Sequence, residues 1–304
     1  MSVIDDGYDV WDRRARCAVR VPIFDARRLH FCYRTPLGRL LMRSLLSLPT
    51  ANTVYAWSRY RPSSAQDIPG FVARYDIPVD ELAAPLGSYR TFNDFFIRRL
   101  RPGSRPVDAD PAAVVAPSDG QLLVFPDVGD DTTFAIKGAS FTLRRLLGDD
   151  DLVAALRGGS LASIYLAPFD YHRFHYPLGA TLERRARRGH RLLAVNPEVS
   201  IKNGFRPFDV NVREVNVLVG DGVGTFVQVE VGAFAVGRIV STDAAPGRHE
   251  KGAEKGYFGF GGSSVLLAFK RGAVTFDDDV VEASARGLAS RVRMGERIAV
   301  TASR

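Results

Sequence analysis

The stretch Glu214-Val-Asn-Val-Leu-Val-Gly-Asp-Gly-Val-Gly-Thr-Phe-Val-Gln-Val-Glu-Val231 decides the fold. Two valine-rich runs flank Gly220-Asp-Gly-Val-Gly224. A glycine-rich phosphate loop would lead into a helix, whereas a second β-branched run follows this one. The pattern therefore predicts a hairpin. Short runs of the same character recur at 114–116, 121–125, 162–166 and 265–269, punctuated by Gly, Pro and Asp. From about residue 111 to 304 the chain reads as a largely antiparallel β body.

Upstream the pattern changes. Residues 1–110 read mostly as helix and loop. Leu37-Gly-Arg-Leu-Leu-Met-Arg-Ser-Leu-Leu-Ser-Leu48 places apolar residues at helical spacing, with Arg39 and Arg43 on the other side. It is too short to span a bilayer, and it fits either a helix lying on a membrane or one packed on the core. Thr91-Phe-Asn-Asp-Phe-Phe-Ile-Arg-Arg-Leu100 reads as a helix capped by Thr91 or Asn93, broken by Arg101-Pro-Gly-Ser-Arg-Pro-Val107. The fold class is α+β: a helical N-terminal part, membrane-facing if the 37–48 helix lies on a bilayer, followed by a largely antiparallel β body.

Composition narrows the function. The 304 residues carry a formal charge of +7, and no stretch approaches ~18 uncharged apolar residues, which excludes a transmembrane helix. The opening residues lack an apolar signal core, so the expected compartment is the cytoplasm. Cys17 and Cys32 are the two cysteines, too few for a disulfide framework or a cysteine zinc cluster. Of 41 basic residues 36 are arginine, and residues 1–110 hold 17 Arg against 12 acidic residues. A basic half suits nucleic acid, an anionic membrane or an acidic partner, and charge alone does not choose.

Three segments can carry chemistry. Leu166-Ala-Pro-Phe-Asp-Tyr-His-Arg-Phe-His-Tyr-Pro-Leu-Gly179 holds His172 and His175 between two prolines. On a flat strand they would face opposite sides, so sharing a site requires a bend. A metal would need further ligands, and none cluster nearby. Asp119 lies in the turn-like Ala116-Pro-Ser-Asp-Gly120. Lys251-Gly-Ala-Glu-Lys-Gly-Tyr-Phe-Gly-Phe-Gly-Gly-Ser-Ser264 ends in a serine pair before a strand, without the G-x-S-x-G of a hydrolase elbow. A serine nucleophile needs a base, and the base an orienting acid. Ser263, His175 and Asp119 suit those roles.

Six segments in series resemble the phosphatidylserine decarboxylase family. They are Thr91 to Pro106, Pro117-Ser-Asp-Gly120, Lys137-Gly-Ala-Ser-Phe-Thr-Leu143 with Leu146-Leu-Gly148, Asp170-Tyr-His-Arg-Phe-His-Tyr-Pro177, Val231-Gly-Ala-Phe-Ala-Val-Gly-Arg-Ile239 and Lys251-Gly-Ala-Glu-Lys-Gly-Tyr-Phe258. The family's Leu-Gly-Ser-Thr processing site is replaced by Gly261-Gly262-Ser263-Ser264, and aligning the following strand puts Ser263, rather than Ser264, at the processing position.

The resemblance implies a zymogen. Ser263 attacks the Gly262 carbonyl with His175 as base and Asp119 orienting it. The chain is cut into a β chain, residues 1–262, and an α chain, residues 263–304, headed by a pyruvoyl group made from Ser263. That carbonyl is the cofactor, an electron sink for decarboxylation, and His172 delivers the proton to Cα. The implied reaction turns phosphatidylserine into phosphatidylethanolamine at the cytoplasmic face of an anionic membrane, with the enzyme bound peripherally and no nucleic acid involved. Two other readings stay open: the same chemistry on another amine, such as an aromatic amino acid, and a Ser/His/Asp hydrolase. A homodimer is an open expectation. Lys137 and Arg173 are conceivable phosphate partners, with structural roles the simpler reading.

Overall fold

The computed structural model describes residues 7–234, 238–243, 245–261 and 263–302. Its centre is a ten-stranded sheet. The hairpin forms as the sequence predicts, with Arg213–Gly220 against Gly224–Gly232 and Gly220 opposite Gly224. Strand Gly224–Gly232 pairs with Ser263–Phe269, which pairs on its other side with Ser160–Leu166. Gly120–Phe125 lies beyond that strand. The Ser263–Phe269 strand is fully buried, as expected for one paired on both sides inside a sheet covered on both faces. Two apolar clusters form the core, one containing Leu166, Phe174 and Val265, the other Tyr165, Val231 and Leu266.

The N-terminal part is helical only from Ala26 onward. Gly7–Asp12 and Cys17–Pro22 form a hairpin that extends the large sheet, and Trp11 pairs in parallel with Ser290. The expectation of helix and loop over residues 1–110 is corrected there. Helices Ala26–Arg34, Pro36–Leu41, Pro49–Arg59 and Ile68–Tyr75 follow. The stretch expected as one helix over 37–48 is α-helical to Leu41 and then opens into a π-helical turn, Met42–Leu46. Met42 is buried in it, while Leu37, Leu40 and Leu45 face solvent. Among the described residues no helix is long and apolar enough to cross a membrane.

Thr91 caps helix Phe92–Phe96 by accepting a hydrogen bond from the Asp94 amide. This helix packs its phenylalanines with Phe71 and Phe260, and Asn93 Oδ1 accepts from the Phe260 amide at 3.1 Å. The N-terminal helices are thereby fixed to the segment that leads into Ser263.

Candidate active site

Ser263 heads its strand, opposite Leu166 on one neighbour and Gly232 on the other. The chain leaves Leu166 and turns at once. The Asp170 amide donates to the Ala167 carbonyl at 2.8 Å, and Asp170 Oδ2 accepts from the Ala167 amide at 2.7 Å. This closed turn swings His172 back over the end of the sheet. Its Nδ1 lies 3.2 Å from Ser263 Oγ, and its Nε2 lies 2.9 Å from the Ala167 carbonyl oxygen. A carbonyl only accepts, so Nε2 carries the ring proton and Nδ1 is left to accept from the serine hydroxyl. Phe96 stacks on the imidazole with ring centroids 4.0 Å apart. Both Ser263 and His172 are wholly buried.

Burial first, and then the nearby Arg98 guanidinium, push the His172 pKa down to about 3. The ring is neutral at physiological pH, which suits an acceptor. Asp170 has the opposite shift, up to about 7, caused by burial and by the neighbouring Asp119 carboxylate. Its sign fixes a testable consequence. A carboxyl whose folded pKa is raised contributes stability that is fully present below pH ~3.9 and is lost as pH climbs through the folded value. Asp170→Asn keeps an acceptor for the Ala167 amide and removes this titration. The variant should gain in urea midpoint over the native chain as pH is raised from 4 to 8. A difference independent of pH would show that Asp170 titrates normally.

The other expected residues lie elsewhere. His175, on strand Arg173–His175, donates through Nδ1 to the Gly252 carbonyl at 3.0 Å and turns Nε2 towards the Tyr171 hydroxyl at 3.4 Å. Burial lowers its pKa. Asp119 is gripped by Arg105 through contacts of 2.7 to 3.0 Å and also accepts from the Met294 amide at 2.8 Å. Among the described residues no hydrogen bond joins Asp119 to His175 or His175 to Ser263. Asp119 reaches His175 only through its field. Gly120 explains why a glycine follows Asp119: its φ is +150°, and a Cβ there would meet the Tyr165 carbonyl oxygen at 2.5 Å. Gly262 lies outside the described residues. Ser264 points to the other face of the strand, where its buried hydroxyl has no partner.

Lys137 pairs with Glu198, and Arg173 is buried against Glu254 and the Ile97 carbonyl, so both are tied into the structure. Arg98, Asp170 and Phe96 are parts of the site to which the sequence reading gave no role. All three fall inside the quoted motifs, which was the available signal.

A buried serine whose hydroxyl is held by an imidazole of fixed tautomer at the head of a sheet strand is an arrangement that can serve a nucleophile. Residues 92–300 match the family model for phosphatidylserine decarboxylase. Phosphatidylserine decarboxylase proenzyme of Chlamydia trachomatis serovar L2 is 39% identical over 268 residues, covering 88% of this chain and 89% of the relative. The proenzyme of Chlamydia pneumoniae is 37% identical over 287 residues, covering 94% and 95%. The chain belongs to the phosphatidylserine decarboxylase family.

Proposed function

We propose that this chain is a self-maturing decarboxylase that converts phosphatidylserine to phosphatidylethanolamine with a pyruvoyl group made from Ser263. The observation that carries the reading is the 3.2 Å contact between Ser263 Oγ and His172 Nδ1 at the head of a central strand. Position 263 suits such a group: it is fully buried, its backbone is held on both sides, and an imidazole touches its side chain.

In maturation Ser263 Oγ–H passes its proton to His172 Nδ1 as the oxygen attacks the preceding carbonyl. The amide before Ser263 thereby becomes an ester, elimination across the Ser263 Cα–Cβ bond expels residues 1–262 as a carboxylate, and water hydrolyses the remaining enamine with loss of ammonia, leaving residues 263–304 with a ketone at residue 263. The carbonyl left at residue 263 supplies an electron sink for the pair released with carbon dioxide. His172, which touches the same position, then holds the proton and returns it to the substrate Cα. An imidazole held neutral by burial is a strong acid once protonated, and the Ala167 carbonyl fixes its orientation. Phe96 covers the ring and keeps water from it.

A second assignment gives the Ser263 proton to His175 and leaves His172 the later step. The field of Asp119 on His175 favours it. The two assignments make opposite forecasts for the same pair of variants.

A lipid substrate also accounts for the surface. Seven of the ten large apolar side chains exposed among the described residues lie between Phe31 and Tyr60. Residues 26–66 contain seven arginines and no acidic residue. An apolar surface ringed by arginine favours an anionic leaflet through both burial and charge, and we place the enzyme peripherally on the cytoplasmic face. Replacing Leu40, Val54 and Trp57 together by Glu should reduce sedimentation with phosphatidylserine-containing vesicles by tenfold or more while leaving chain cleavage intact. Unchanged sedimentation would remove this surface from the reading.

The overall test is carbon dioxide release from phosphatidylserine vesicles, compared with release from soluble aromatic amino acids. Release from the amino acids alone would reassign the substrate, and an intact chain that labels with fluorophosphonate would reassign the class to a hydrolase.

A further inference from the structure

A cavity of about 60 Å³ borders Gly261, lined also by Phe24, Asp25, Ala233 and Phe260. A larger hollow of about 290 Å³ shares Phe24, Asp25 and Phe260 with it and continues outward past Arg28, Arg59 and Arg74. The two are neighbours across Phe24, Asp25 and Phe260, and the inner one is bordered by Gly261. The outer hollow begins at the end of helix Pro49–Arg59, whose Val54 and Trp57 belong to the exposed apolar surface.

The charges of the outer hollow do not cancel. Arg59 pairs with Asp67 at 2.7 Å and Arg28 with Asp25 at 3.3 Å. Arg74 makes no ion pair among the described residues and lies over the Tyr75 ring at 5.5 Å. One positive charge is left over. Arg59 is also under-used: its Nε is buried without a hydrogen-bond partner, and its guanidinium sits over Phe92 and Phe260 at 5.7 and 5.9 Å. An uncompensated arginine lining a hollow beside a second guanidinium is the chemistry of a phosphate site. The surplus of one charge matches a phosphodiester, which carries one, better than a phosphomonoester.

We propose that Arg74 and Arg59 hold the phosphodiester of the glycerophospholipid substrate at this mouth. The acyl chains then lie against the exposed apolar helices, and the amino acid end passes between Phe24 and Phe260 to residue 263. The proposal rests on the lipid reading above and adds to it the residues that select a phosphodiester. Arg59 and Arg74 are binding residues here, since neither touches the reacting atoms.

The test uses the cleaved native protein with Arg74→Gln, Arg59→Gln and Arg74→Lys, assayed on phosphatidylserine in micelles of a neutral surfactant so that membrane charge plays no part. Each variant is first checked for two bands on a denaturing gel, because Arg59 packs on the segment before the cut. Losing one charge-assisted contact should raise KM about tenfold with kcat nearly unchanged, and Lys at position 74 should recover much of the loss. Glycerophosphoserine, the head group without acyl chains, should compete about tenfold less well with Arg74→Gln, while competition by free serine should not change. An unchanged KM, an equal effect on free serine, or competition by inorganic phosphate as strong as by glycerophosphoserine would overturn the site. If the cleaved native protein releases no carbon dioxide from phosphatidylserine, the lipid reading fails by itself. Glycerophosphoserine binding to native and Arg74→Gln protein, measured by calorimetry, then still decides the site.

Discussion

Ser263→Ala should give one uncut chain and no detectable carbon dioxide release, whereas the native chain should give two bands. Among the described residues, Ser263 Oγ is the hydroxyl held against His172 Nδ1. Ser264 is adjacent in sequence but points to the opposite face of the strand, into a buried spot where its hydroxyl has no partner. Removing a nucleophile from a preorganised site costs on the order of 10⁶ in rate. On the proposed mechanism the loss reaches both activities, because the same residue would be needed first to cut the chain and then to supply the reactive carbonyl. Ser264→Ala is the matched control. It deletes an unsatisfied buried hydroxyl and should cleave normally with stability unchanged or slightly raised. Cleavage of Ser263→Ala, or an uncut Ser264→Ala, would move the site by one residue.

His172→Ala should slow cleavage by about 10² to 10⁴ and abolish decarboxylation, since the imidazole that touches Ser263 is the group placed to move protons at that position. Cleavage should be followed over hours, because a thousandfold slowing still yields some cut chain. His175→Ala and Asp119→Asn should retain cleavage on the contact-based assignment, as both side chains are occupied elsewhere, by the Gly252 carbonyl and by Arg105. An uncut His175→Ala beside a cut but inactive His172→Ala would give the serine proton to His175. It would also mean that the turn at Asp170 rearranges before the attack.

Much of the β body was legible because its strands are short, β-branched and bounded by turn residues. The 214–231 hairpin needs only local information, since its two runs pair with each other across five residues. The N-terminal hairpin was not legible for the opposite reason. Gly7–Asp12 alternates weakly, and its second partner is strand Ser290–Val292, almost the whole chain away. The π-helical turn at Met42–Leu46 was equally hidden, since leucine spacing does not distinguish it from an α-helix. In the candidate site, the sequence singled out Ser263 and His172, which the structure brings together, but not their neighbours. Which histidine faces Ser263 depends on the Ala167–Asp170 turn, and that turn is closed by a side chain whose role was not apparent from spacing.

The position of Ser263–Phe269 between two partner strands also gives the protein a history. The proposed cut leaves the new chain end inside the sheet, and Ser290–Val292 and Arg297–Thr301 of the same fragment are paired with strands of the other. Two fragments interleaved in this way are held by the hydrogen bonds of five strand pairs, yet the proposed cut removes the covalent link that made their meeting a single-chain event. Once denatured they would have to find each other at a rate set by concentration, with the longer fragment carrying a gap in the middle of its sheet. The molecule is thus expected to assemble once, as a precursor, and to spend its working life in a state that it regains, once denatured, only through a slow bimolecular step.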